Sequence, residues 1–138
     1  MAIRGQGPLR VRTLRKIGIV DDDDAVRDSL RALLESHMLH VTDFSSGKAL
    51  LDSGDLSDFD CFILDYQMPG MNGMEVVEAL RSRGVSGAAI ILSALSVSAS
   101  SERLRHAGVI AALMKPVSEG ELMGWIGRAA ETTAASAH

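Results

Sequence analysis

The chain has 138 residues, 46% of them hydrophobic and 23% charged, which describes one ordinary globular domain rather than a disordered chain. No apolar run approaches the roughly 20 residues of a spanning helix, the basic start lacks the apolar core of a secretory signal, and the single Cys61 cannot close an internal disulfide; a reducing, cytoplasmic setting without a membrane is expected. The net charge of −4 is uneven, because Arg4, Arg10, Arg12, Arg15 and Lys16 precede every acid, and the acidic remainder argues against a nucleic-acid groove in the folded part.

The basic residues 1–15, with Gly5, Gly7 and Pro8, read as a flexible extension. Lys16 to Val20 is strand-like. Val26, Leu30, Leu33 and Leu34 then fall on one face of a helix, with Asp23 or Asp24 as its amino cap. Leu39 to Phe44 is a weaker strand, and Ser46 caps a short helix through Leu51. Asp60 to Asp65 is apolar without alternation, as expected of a strand covered on both faces. The turn-rich Pro69-Gly70-Met71-Asn72-Gly73 leads into a helix marked by Val76, Val77 and Leu80, ending near Gly84. A strand at Ala88 to Leu92, a helix around Ser100 to Ala107, and a strand at Val109 to Met114 follow. Ser118 and Glu121 have the spacing of a capping box before a last helix bearing Leu122, Trp125, Ile126 and Ala129. Five β/α units in succession imply an α/β domain over residues 16–130, a doubly wound parallel sheet with right-handed crossovers; residues 131–138 read as a disordered tail.

Four apolar runs end on polar residues: Asp21-Asp22, Asp65, Ser93, and Lys115-Pro116. Parallel strands bring such ends to the carboxyl edge of the sheet, where open α/β folds bind ligands. Four consecutive aspartates, Asp21 to Asp24, are costly there, since two like charges about 4 Å apart repel by roughly 4 kcal/mol at an effective dielectric of 20. A helix amino terminus accounts for Asp23 and Asp24. Asp21 and Asp22 point instead to the edge where Asp65 arrives, and three carboxylates suit a hard cation, Mg2+ or Mn2+, that leaves room for a phosphate oxygen. Lys115 and Ser93 would add an ammonium and a hydroxyl for a phosphoryl group, and a carboxylate nucleophile can form an aspartyl phosphate.

Val20-Asp21-Asp22, Arg27, Phe62 through Gly73, Leu92-Ser93-Ala94, Ala107-Gly108 and Lys115-Pro116 together resemble the receiver domain of bacterial two-component response regulators. The resemblance covers about residues 16 to 130. It implies a (βα)5 flavodoxin-like fold with strand order 2-1-3-4-5. It implies Asp65 as phosphoacceptor, Asp21, Asp22, Asp65 and the Gln67 backbone carbonyl as metal ligands, and Ser93, Ala94 and Lys115 as phosphoryl-binding residues. Ser93 takes the place of the switch hydroxyl, and the Lys115-Pro116 peptide is expected to be cis. The implied partner is a histidine kinase or histidine phosphotransfer protein. A stand-alone module is expected, turning over no outside substrate and signalling by protein contact, with a homodimer through the last two helices as one route.

The sequence departs from the family at Ala112, where an aromatic switch partner usually stands, and at Met38, near a customary helix-ending glycine. Leu95 and Gln67 occupy positions that tune water access to the phosphoryl group. The missing aromatic keeps a phosphorylation-independent interaction module in view. An aspartyl-phosphate hydrolase of the haloacid-dehalogenase type is disfavoured, because that family wants a second Asp where Gln67 stands. His37, His40, His106 and His138 show no metal-ligand spacing, Cys61 reads as a small core residue, and neither a phosphate-binding Gly-x-x-x-x-Gly-Lys loop nor a Gly-x-Ser-x-Gly elbow occurs.

Overall fold

A computed structural model describes residues 16–95 and 101–136. The basic extension expected at 1–15 lies outside the described residues. Five strands, β1 (Ile17–Val20), β2 (Val41–Phe44), β3 (Cys61–Asp65), β4 (Ala88–Ser93) and β5 (Val109–Met114), alternate with α1 (Asp24–Ser36), α2 (Gly47–Leu51), α3 (Gly73–Ser82), α4 (Ser101–His106) and α5 (Glu119–Ser136). All strand pairings are parallel, in the order β2-β1-β3-β4-β5, as the alternation of patterns predicts. β2 is shorter than expected at its start, because the Leu39 N–H is used to close α1 on the Leu34 carbonyl. At the other end of the chain α5 continues to Ser136, past the boundary drawn at residue 130.

Strand periodicity divides the core into two layers. Ile17, Ile19, Cys61, Ile63, Ile90, Leu92, Ala111 and Leu113 pack with Leu30 and Leu34 of α1 and with Leu122, Ile126 and Ala129 of α5. Val20, Phe62, Leu64, Ala89 and Ile91 pack on the other face with Leu50 of α2, Val76, Val77 and Leu80 of α3, and Leu104 of α4. Both layers are buried, which explains why β3 and β4 are apolar at every position before their final polar residue. Cys61 is fully buried, and burial pushes its thiol up to about 12, so it acts as a packing residue.

Helix starts follow local chemistry. Asp23 caps α1 by accepting from the Ala25 and Val26 N–H groups, and Ser46 caps α2 by accepting from Ala49. At α5 the Ser118 hydroxyl accepts from Glu121 at 3.1 Å. A reciprocal capping box stands at α3, where Asn72 and Glu75 each accept from the other's N–H at 2.8 and 2.9 Å. The turn residues around it had concealed that signal in the sequence.

Candidate functional site

Register fixes the site. Val20 lies opposite Leu64, Asp65 opposite Leu92, and Ser93 opposite Met114, so the polar residues that close β1, β3, β4 and β5 share one edge. The Tyr66 N–H donates to the Leu92 carbonyl at 2.7 Å and the Lys115 N–H to the Ser93 carbonyl at 2.8 Å, extending the ladder into the loops. Strand alternation carries Asp21, Asp65 and Lys115 on the side facing α1 and α5. Ser93 continues the opposite series, Ala89 and Ile91, toward α3 and α4.

Ligand oxygens of Asp21, Asp22 and Asp65 lie within 4.8 Å of one another. Asp21 and Asp65 are buried while Asp22 is exposed, so the acid cluster opens to solvent through Asp22. The Lys115 ammonium stands between the two buried carboxylates, 3.2 Å from Asp21 Oδ2 and 3.1 Å from Asp65 Oδ1. Asp21 Oδ1 accepts from the Asp23 N–H at 2.9 Å, so each of its oxygens has a hydrogen-bond partner. Burial raises the pKa of Asp65; hydrogen bonding to Lys115 and to the Gln67 backbone opposes this, and the charge of Asp21 reinforces it. Burial alone would lower Lys115, but its hydrogen bond to Asp65, together with Asp21, reverses the sign and raises it. Carboxylates crowded at a largely buried edge disfavour further negative charge and favour a cation.

The remaining expected residues distribute around this centre. Ser93 is buried and its Oγ accepts from the Leu95 N–H at 3.0 Å. Leu95 itself is 61% exposed and Ala112 is exposed on β5. The Lys115-Pro116 peptide is cis. An apolar groove of about 580 Å3 is lined in part by Val26, Leu30, Lys115 and Val117.

Two contacts escaped the sequence reading because they depend on turn geometry rather than pattern. Arg27 NH1 donates to the backbone carbonyl of Asp21 at 2.8 Å. Gly73 opens α3 against the backbone of β3: a Cβ there would stand 2.7 Å from the Asp65 carbonyl oxygen. The donor set fits a hard divalent cation, being three carboxylates gathered at the sheet edge, one of them exposed.

The family model of the response regulator receiver domain matches residues 17–126. Among curated relatives, the transcriptional regulatory protein FixJ of Azorhizobium caulinodans is 44% identical over 77 residues, covering 56% of this chain and 36% of that protein. The response regulator protein TodT of Pseudomonas putida is 37% identical over 110 residues, covering 80% of this chain and 48% of that one. The chain thus spans about half the length, or less, of these relatives. Among solved structures, a CheY-like receiver domain protein from Methanospirillum hungatei JF-1 superposes with a TM-score of 0.81 at 26% identity, covering 90% of this chain and 99% of that one. The response regulator StyR gives 0.82 at 30% identity, covering 90% of this chain and 63% of that one.

Proposed function

The chain belongs to the response regulator receiver domain family, and from that premise we propose that it is a phosphoacceptor module whose Asp65 takes a phosphoryl group from a histidine kinase or histidine phosphotransfer protein. The observation that carries the reading is the ammonium of Lys115 held between Asp21 and Asp65 at an acid cluster on the carboxyl edge of the sheet. Asp65 Oδ attacks phosphorus, the P–N bond to the donor imidazole breaks, and its electron pair leaves with the nitrogen. Lys115 follows the negative charge that spreads over the phosphoryl oxygens, and the Ser93 hydroxyl and the backbone at Ala94 donate to them. A magnesium ion held by Asp21, Asp22, Asp65 and the Gln67 carbonyl would supply further charge neutralisation. The apolar groove that Lys115 lines together with Val26, Leu30 and Val117 would offer a donor helix a surface at this edge. The product is a modified protein rather than a released small molecule, so the chemistry serves signalling in place of turnover.

The test uses a small phosphodonor with Mg2+. Wild type should incorporate acid-labile phosphate, and Asp65→Asn or chelation of the metal should abolish it. Incorporation that persists in Asp65→Asn overturns the assignment. Ala112 supports a second reading, a module that binds its partner irrespective of phosphorylation, and wild type that remains unlabelled while keeping its fold would favour it.

A further inference from the structure

We propose that Arg27 is a positioning residue of the metal loop: its guanidinium fork holds the turn from Asp21 to Asp24 in the shape that presents the Asp21 and Asp22 carboxylates together. The inference rests on reading the acid cluster as a divalent-cation site.

The side chain of Arg27 is 14% exposed and directs its nitrogens to three separate acceptors. NH1 donates to the Asp21 backbone carbonyl at 2.8 Å, NH2 to the carboxylate of Asp24, and Nε faces Asp43 Oδ2 on β2 at 3.5 Å. The turn is therefore tied at its first and last residues to one planar group, which is anchored to the neighbouring strand. Asp21 is fixed at both ends as well: its N–H donates to the Phe44 carbonyl at 3.2 Å and its Oδ1 accepts from Asp23. A lysine offers the same charge but no fork, so it can satisfy one of these directions and not all three. Groups that orient metal ligands from behind characteristically govern metal affinity.

Charge alone predicts the opposite outcome. Arg27 is a cation beside a cation site, so deleting its charge should by Coulomb's law tighten metal binding. Arg31 provides the control: it also reaches Asp43, at 2.9 Å, but its other partner is Glu35, outside the metal loop. Titrating Mg2+ alone into metal-free protein by calorimetry separates the two effects. Arg27→Gln and Arg27→Lys should each weaken Mg2+ binding by about ten-fold or more, the scale typical of ligand-orienting partners, while Arg31→Gln binds no more weakly than wild type. Melting curves in chelator establish that each variant is folded; if Arg27→Gln does not fold, Arg27→Lys decides alone. Wild-type or tighter affinity in the Arg27 variants, or an equal loss in Arg31→Gln, overturns the positioning role. A wild type that takes up no Mg2+ overturns the reading of the pocket itself, and the role of Arg27 with it.

Discussion

At Asp65 two electrostatic influences oppose each other, and their balance has a measurable sign. Burial disfavours the carboxylate, the Lys115 ammonium at 3.1 Å favours it, and burial reinforced by Asp21 prevails, so the folded-state pKa lies above the ordinary value of 3.8. A group shifted upward stabilises the fold fully below its ordinary value and loses that contribution as pH rises through its folded-state value. At neutral pH the ionised Asp65 is therefore a cost. Asn keeps an acceptor for Lys115 and removes the charge. In chelator at pH 7, Asp65→Asn should melt above wild type, and the gap should close as pH falls below the usual aspartate range. Lower melting of the variant at pH 7 would mean that the ion pair with Lys115 outweighs burial. Lys115, raised above 10.5, should stabilise the fold at neutral pH and lose that contribution only in strong alkali.

The helices show where local chemistry and chain pattern part company. α1 and α3 end in the same motif. In α1 the Leu39 N–H reaches the Leu34 carbonyl and Met38 reaches Glu35; in α3 Val85 reaches Leu80 and Gly84 reaches Arg81. The residue after each cap is left-handed, Gly84 at φ +79° and Met38 at φ +66°. Glycine carries no Cβ penalty there, whereas an L-residue pays roughly 1–2 kcal/mol. Met38 is 88% exposed, so its side chain contributes little packing in return. Met38→Gly should stabilise the domain by about 1 kcal/mol, raising the melting temperature by about 4 °C, while Met38→Ala should give no gain. A Met38→Gly variant that melts at or below wild type would sink the argument. The sequence already pointed to this site, because a helix pattern ending without a glycine can be read by eye. The anchoring of α4 could not be read that way. Arg103 pairs with Glu78 of α3 through two short contacts, 2.7 and 2.6 Å, and Arg81 donates to the carbonyls of Ala107 and Gly108. Nothing in the spacing of these residues announces that they meet.

Across the whole molecule, the legible part of the site is the part built by strand periodicity. Apolar runs closing on Asp21, Asp65, Ser93 and Lys115 are enough to place four side chains at one edge once the strands are parallel. The same parity, applied with the observed register, separates them: Asp21, Asp65 and Lys115 belong to the face covered by α1 and α5, and Ser93 to the face covered by α3 and α4. Ser93 thus borders the side of the sheet where Ala112 and Met114 lie exposed on β5. The usual route outward, an aromatic ring on β5, is closed to a methyl group at Ala112. The loop after β4 includes residues 96–100, outside the described residues. Its first hydrogen bond is described, however: the Leu95 N–H donates to Ser93 Oγ at 3.0 Å. A phosphoryl group that draws the hydroxyl toward Asp65 takes that acceptor from Leu95, while α4 stays tied to α3 through Arg103 and the turn that follows it, at Ala107 and Gly108, stays tied through Arg81. Amide exchange with Mg2+ and a beryllofluoride mimic should show Leu95 losing protection, with Leu104 and Ala107 changed much less. In Glu78→Gln, where the tie from α3 is weakened, the loss should spread into Leu104 and Ala107. Unchanged exchange at Leu95 would show that Ser93 does not move, leaving a partner to read the phosphorylated edge directly.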